Sequence, residues 1–237
     1  MIKTIIKRDG AKEEFVPSKL NYWGKWASEN LNHRLDWSTV VLKDIKNSKE
    51  EVTSRELQET LIKICSEKKD WPHSLMAGRL YSAILQKDLY GYTMPTVRDL
   101  FKKLAKLGLM KRLNYTYEEY DEIEKMIDHS RDFEMAYFRI SYALSKYSLQ
   151  NRKTKQPLET PQYIYMRMAC ALAEDEPKEE KLKHVKHWYD LFSKGILNAP
   201  TPNYNNLGTS HNGYASCCLY VTDDSAKSLA IGDHIAY

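Results

Sequence analysis

The sequence predicts a mainly helical protein with a small α/β unit at its N-terminus, and three observations carry that reading. A β-prone opening, Ile2 to Lys7, is followed by the turn signal Asp9-Gly10 and a return run, Glu13-Glu14-Phe15-Val16, the signature of a hairpin. Apolar residues then recur at helical spacing through most of the chain. After Gly195 the composition shifts, and Pro, Asn, Gly, Ser and Thr dominate 198–213.

Taken in order, Pro17-Ser18 starts the first helix, with Ser18 as N-cap and Leu20, Trp23, Ala27 and Leu31 on one face. A second helix follows Thr53-Ser54 and aligns Leu57, Leu61, Ile62 and Cys65. A third runs from about Pro72 to Tyr90, where Gly91 can end it. Thr96 to Leu109 and Tyr117 to Met126 read as amphipathic helices, and Arg131 to Ala143 as one long segment. Lys146 to Gln150 is β-like, and Asn151-Arg152-Lys153 is a turn. Thr160-Pro161 opens a helix through Leu172, and Glu179 to Ser193 forms another. The 198–213 stretch reads as a functional loop, Ala215 to Val221 as a buried strand, and a last helix starts at Asp224 or Ser225.

Composition narrows the function classes. The 237 residues include 36 basic and 32 acidic side chains, a net charge of +4 spread along the chain. A nucleic-acid-binding domain concentrates basic residues in a stripe, so no polynucleotide partner is expected. No apolar run approaches the ~20 residues that span a bilayer, and charges at Lys3, Lys7 and Arg8 leave no signal-peptide core. The spacing of Cys65, Cys170, Cys217 and Cys218 suits neither a disulfide framework nor a zinc site. A reducing, cytoplasmic setting and no metal are the expectation.

Several constellations bear chemistry. Lys7, Arg8 and Lys19 surround a hairpin and a helix start, an arrangement that suits an anion as well as a solvated charged edge. Ser54 and Gln58 lie four apart on one helical face and could meet a ligand. Cys65 and Cys170 sit in apolar helical patterns and read as core. Cys217 and Cys218 are adjacent, so in a strand they point to opposite faces; spacing alone leaves open whether one is a reactive thiol or both are core. A pairing between neighbours would need strained geometry.

In this order the motifs resemble the large (alpha) subunit of class I (aerobic) ribonucleotide reductase, over essentially the whole chain. Lys7-Arg8-Asp9-Gly10, Glu13, Lys19-Leu20 and Val52-Thr53-Ser54 with Gln58-Glu59-Thr60 look like that family's ATP cone. Asp128-His129-Ser130-Arg131-Asp132 and Lys146 to Arg152 look like its helical connecting region. Pro200-Thr201-Pro202 and Ala215-Ser216-Cys217 look like the start of its ten-stranded α/β barrel. The implied organisation is a cone over 1–92, a helical connecting domain over 93–197, and over 198–237 the first strand of the barrel, which another chain completes.

The resemblance also implies roles. Cys217 matches the first cysteine of the redox pair that reduces the ribose 2′ position, and Cys218 takes a packing position. Thr201 and Ser216 match substrate-binding positions, and Asp224 and Ser225 the start of the specificity-effector helix. Lys7, Arg8, Glu13, Lys19, Leu20, Ser54, Gln58 and Lys87 match the overall-activity site for ATP or dATP. Implied partners are a complementary C-terminal large-subunit chain, a small subunit with an iron-based radical, thioredoxin or glutaredoxin, and nucleotide substrate and effectors. Val16 replaces a polar residue, Gln58 stands where an acid or histidine is common, and Gly208-Thr209-Ser210 replaces the usual Arg-Thr-Pro. The chain stops nineteen residues after Cys218 on Ile235-Ala236-Tyr237, so more polypeptide is expected, from the same gene or a second one. The alternative is a nucleotide-sensing regulatory protein that keeps the cone and performs no catalysis.

Overall fold

The computed structural model describes residues 2–31, 35–47, 49–217, 219 and 221–236, with backbone alone at 41, 42, 44, 45, 47 and 236. The N-terminal unit is a three-stranded sheet covered by helices. Strand β1 (Thr4–Ile6) pairs antiparallel with β2 (Lys12–Glu14), Ile5 opposite Glu13, and parallel with β3 (Glu51–Thr53), Ile5 beside Val52. The Asp9-Gly10 turn closes the hairpin as its sequence predicts: Gly10 adopts φ 84° and donates to the Lys7 carbonyl at 3.0 Å. The parallel β3 needs a crossover, and α1 (Pro17–Ser28) and α2 (Trp37–Asn47) supply it.

Two expectations are corrected here. Ser18 is not the cap of α1; Val16 occupies that position and Pro17 is the first helical residue, where its missing N–H costs nothing. Helix α2 was not foreseen, because its Thr39-Val40-Val41 run is β-branched and weakly helix-forming. Asp36 nevertheless starts it, accepting from the amides of Ser38 and Thr39 at 3.1 and 3.2 Å.

Helix α3 (Ser54–Ser66) begins with a reciprocal cap: Thr53 Oγ1 accepts from the Glu56 amide at 3.0 Å, and the Glu56 carboxylate accepts from the Thr53 amide at 2.9 Å. Its buried face, Leu57, Leu61, Ile62 and Cys65, meets Ile5, Leu20 and Ala27 with Met76 and Leu80 of α4 (Trp71–Tyr90) in one core.

Helix α4 reaches into the helical unit. Behind it come α5 (Val97–Lys106), α6 (Tyr117–Met126), a 3₁₀ turn (His129–Glu134), α7 (Tyr137–Lys146), α8 (Pro161–Ala173), α9 (Lys178–Ser193), the short α10 (Thr201–Asn206) and α11 (Ala226–Ala236). The segment expected as one run over 131–143 is broken at Met135-Ala136, which are extended. Helix α4 causes the break: a Cβ on Gly78 would lie 2.0 Å from the Met135 carbonyl oxygen, so only glycine lets the two backbones meet.

Helix α8 is the axis of this unit. Residues 161–170 are buried on every side, which marks a central helix. Its Arg167 forms an ion pair of 2.8 Å with Glu159, two residues before the helix starts, with no solvent exposure of either side chain. Arg167 also donates to the carbonyls of Leu207, Tyr204 and Tyr147 at 2.5, 3.1 and 3.3 Å, and Glu159 accepts from the Leu149 amide at 2.8 Å. Two segments without long-helix structure, 147–160 and 204–209, are thereby tied to one side chain. The β-like reading of 146–150 reduces to a single bridge, Gln150 to Pro157, around the expected turn, in which Asn151 Oδ1 accepts from Lys153.

Beyond Leu207 the expectations diverge from the structure. The 198–213 loop contains α10. The buried strand expected over 215–221 is not formed among the described residues: Leu219 and Val221 are 97% and 99% exposed, and Cys217 is exposed too. A strand is held by ladder hydrogen bonds, and no described backbone group bonds to this segment. The fold is therefore mainly helical with a small N-terminal sheet, and the described residues of 215–221 form no strand. Cys218 and Tyr237 lie outside the described residues. No helix among those described is long and apolar enough to cross a membrane.

Candidate functional site

The sheet register builds the site. Side chains alternate across a strand, so Ile5 and Lys7 share one face of β1 and its extension. Glu13 and Phe15 follow the same alternation, and Glu13 sits opposite Ile5. On the other side, Ile6 pairs with Thr53, which brings Ser54 level with Lys7. Helix α1 then turns Lys19, Leu20, Tyr22 and Trp23 toward this end of the sheet, and α3 contributes Ser54, Leu57 and Gln58. Together these residues line a surface cavity of about 230 Å³.

The cavity has two chemically distinct walls. Lys7 Nζ lies 2.7 Å and Lys19 Nζ 3.2 Å from the same oxygen of Glu13. The hydrogen bond from Lys7, reinforced by Lys19, holds the Glu13 carboxyl below its ordinary range. The remaining lining is largely apolar and aromatic, from Ile5, Phe15, Val16, Leu20, Trp23 and Leu57. Ser54 and Gln58 stand one helical turn apart at its edge, without a side-chain hydrogen bond among the described residues. Paired cations beside a flat apolar wall fit a nucleotide: phosphates against the ammonium groups, a base against the rings.

Six of the eight residues expected at the activity site thus converge: Lys7, Glu13, Lys19, Leu20, Ser54 and Gln58. Arg8 and Lys87 do not line the cavity. Arg8 pairs with Asp88 at 2.8 Å, where Arg55 also reaches the second carboxylate oxygen at 3.3 Å, and Lys87 lies 4.7 Å over the Tyr92 ring. Sequence reasoning missed Phe15, Tyr22 and Leu57 as lining residues. Their signal was positional: Phe15 is two from Glu13 in a strand, Tyr22 three from Lys19 and Leu57 three from Ser54 in helices.

The C-terminal residues do not converge among the described residues. Thr201 is exposed at the first position of α10, Ser216 and Cys217 are exposed, and no described contact joins them. Asp224 is exposed, and Ser225 caps α11 by accepting from the Ser228 amide at 3.2 Å. No group of three or more His, Cys, Asp or Glu side chains that could hold a metal ion occurs among the described residues. Cys65 and Cys170 are buried in the two cores, as their spacing predicts.

Comparison with known proteins matches the two halves separately. Residues 3–81 match the ATP cone domain, and residues 133–212 match the all-alpha domain of ribonucleotide reductase. The ribonucleoside-diphosphate reductase subunit alpha of Haemophilus influenzae is 32% identical over 232 residues, covering 95% of this chain and 31% of that protein. The ribonucleoside-diphosphate reductase 1 subunit alpha of Escherichia coli is 30% identical, covering 95% of this chain and 30% of its own length. The subunit alpha of Enterobacteria phage T4 is 29% identical over 237 residues. The chain spans about three tenths of the length of these curated relatives. The chain thus carries a cone domain followed by a ribonucleotide reductase all-alpha domain, and 95% of it is similar to the N-terminal part of ribonucleoside-diphosphate reductase alpha subunits.

Proposed function

We propose that this chain supplies the effector-binding N-terminal part of a class I ribonucleoside-diphosphate reductase, acting in deoxyribonucleotide synthesis in the cytoplasm. The observation that carries the reading is the pairing of a cone whose cavity is built from Lys7, Lys19 and an aromatic wall with the reductase all-alpha domain behind it.

In the cone, ATP or dATP places its base against Phe15 and Trp23 and its phosphates on Lys7 and Lys19, displacing the Glu13 carboxylate from them. Ser54 and Gln58 are the neutral hydrogen-bonding groups for base or sugar. Arg8 and Lys87, on the adjoining surface, are the cations a longer phosphate chain would reach. The helical unit, spanning 93–197, holds the Pro200-Thr201-Pro202 segment through the Arg167 hub, and 198–237 begins the barrel that further polypeptide completes.

In the completed enzyme Cys217 is one of two thiols that become a disulfide. The C2′–O bond breaks, oxygen leaves as water, a C2′–H bond forms, and the two thiols supply two electrons and two protons. Thr201 and Ser216 contact the substrate, and Asp224 and Ser225 the specificity effector. Thioredoxin or glutaredoxin restores the thiols, and a small subunit with an iron-based radical initiates the reaction.

Isothermal titration of the chain with ATP and dATP tests the cone: saturable binding that weakens at least tenfold in Lys7→Ala/Lys19→Ala is expected, and its absence rejects the cone reading. The catalytic part is tested with Cys217→Ser in enzyme reconstituted with its remaining polypeptide. Thioredoxin-dependent turnover should vanish, and its survival rejects the role of Cys217.

A further inference from the structure

A second cavity, of about 370 Å³, opens between α5, the loop after it and the start of α6. It lies outside both domain matches, which end at residue 81 and resume at 133, and none of the site residues described above lines it. Its lining carries five cations, Arg98, Lys102, Lys106, Lys111 and Arg112, and no carboxylate.

The cations are arranged, not scattered. Arg98, Lys102 and Lys106 recur every four residues, so they stack along one face of α5. Lys111 and Arg112 come from the loop beyond it. Lys111 is occupied by Glu174, and Arg98 is only loosely held, 3.4 Å from Asp121 with its guanidinium 5.4 Å over Tyr117. Lys102, Lys106 and Arg112 have no ion pair or hydrogen bond among the described residues. The helix dipole favours cations in the last turn of α5, which accounts for Lys106. It does not account for Lys102 in mid-helix, four residues from another lysine and repelled by it, nor for Arg112 outside the helix.

The interior of the cavity is aromatic and rigid. Tyr120 lies against Tyr115 and Phe101, with ring centroids at 5.7 and 6.4 Å, and the Tyr115 hydroxyl is fixed to the Cys170 carbonyl at 2.8 Å. Cations without partners around a fixed aromatic interior select a flat ring that bears negative charge. The volume is that of a small-molecule site and holds one base with its phosphates, not a strand.

We infer that this cavity is a second nucleotide site, separate from the cone, which takes a nucleoside phosphate with its ring against Tyr120 and Tyr117 and its phosphates on Lys102, Lys106 and Arg112. The inference does not depend on the function proposed for the cone. Photo-crosslinking of the whole chain with 8-azido-ATP, followed by tryptic mass mapping, tests it, because Tyr115, Tyr117 and Tyr120 fall on one tryptic peptide, 113–125. A saturable adduct on that peptide is expected. It should persist in Lys7→Ala/Lys19→Ala, and its half-saturation should rise at least tenfold in Lys102→Glu/Lys106→Glu, whose side chains are exposed. Arg112→Glu removes a cation supplied from outside α5 and should weaken labelling in the same direction, read on the 112–125 peptide that trypsin then leaves, with thermal unfolding followed for each variant as a check on folding. An adduct on 113–125 without one on the cone peptides supports this site and counts only against the cone. Labelling of 113–125 that never saturates, or that both charge reversals leave unchanged, overturns the inference. So does competition by inorganic tripolyphosphate as effective as that by ATP, since the ring would then contribute nothing.

Discussion

The N-terminal and helical units each contain a carboxylate held by cations, and the two are put to opposite use. Glu13 sits at the surface between Lys7 and Lys19, with a third of its side chain exposed, whereas Glu159 meets Arg167 with none. Water screens the first set, so it costs little to form and little to break. Losing one partner of the second strands a charge in the core. Position in the fold, not residue type, therefore separates an exchangeable cluster suited to a ligand from a rivet that fastens loops.

The most severe way to break that contrast is Arg167→Met. It leaves Glu159 buried without its cation and frees the carbonyls of Tyr147, Tyr204 and Leu207, and a loss of about 3–5 kcal/mol is expected by urea unfolding. Hydrogen exchange should quicken over 204–209 before it does in the cone. Gly78→Ala attacks the junction of the two units, where the new Cβ meets the Met135 carbonyl. A loss of about 1–3 kcal/mol is expected for such overpacking, read by thermal unfolding.

The 3₁₀ turn, with Asp132 buried and His129 half-buried, sharpens the comparison through pH. Burial pushes Asp132 up to about 7 from 3.8, and burial lowers His129 to about 4 from 6.5. Between about pH 4 and 7 the folded chain keeps a proton on Asp132 that the unfolded chain has released, so rising pH removes stability. For His129 the unfolded chain holds the extra proton between about pH 4 and 6.5, so rising pH adds stability. The two slopes oppose each other in the parent protein. Asp132→Asn should unmask an increase in stability from pH 4.5 to 6.5, and His129→Gln a decrease from pH 4.5 to 7, both measured by urea unfolding at stepped pH.

The smallest stability effect is expected at the surface cluster. Lys7→Ala/Lys19→Ala should shift unfolding by no more than about 0.5 kcal/mol while weakening ATP binding at least tenfold. A large change in stability with unchanged binding would make Glu13 and its lysines a structural feature like the Arg167 hub.

Much of the architecture was legible along the chain because the interactions involved are local. Thr53-Ser54 announces α3, Thr160-Pro161 announces α8, and Gly91, at φ 75°, ends α4 as expected. Asp9-Gly10 needs only its own turn. Short elements were harder: β3 is three residues long, too brief for alternation to be read, and exists because β1 lies beside it.

The sequence by itself determined most of the long helices, the start of α3 and the hairpin, since each depends on residues a few positions apart. Tertiary structure alone decided which of the predicted residues share a cavity. Lys7 and Ser54 are neighbours through strand register, Lys19 joins them through the packing of α1, and Arg8 turns away because Asp88 holds it. It also decided that 131–143 is broken by the approach of Gly78, and that the described residues of 215–221, without a paired neighbour, form no strand. Local propensity cannot specify these outcomes, because each rests on a backbone or side-chain group supplied by a distant part of the chain.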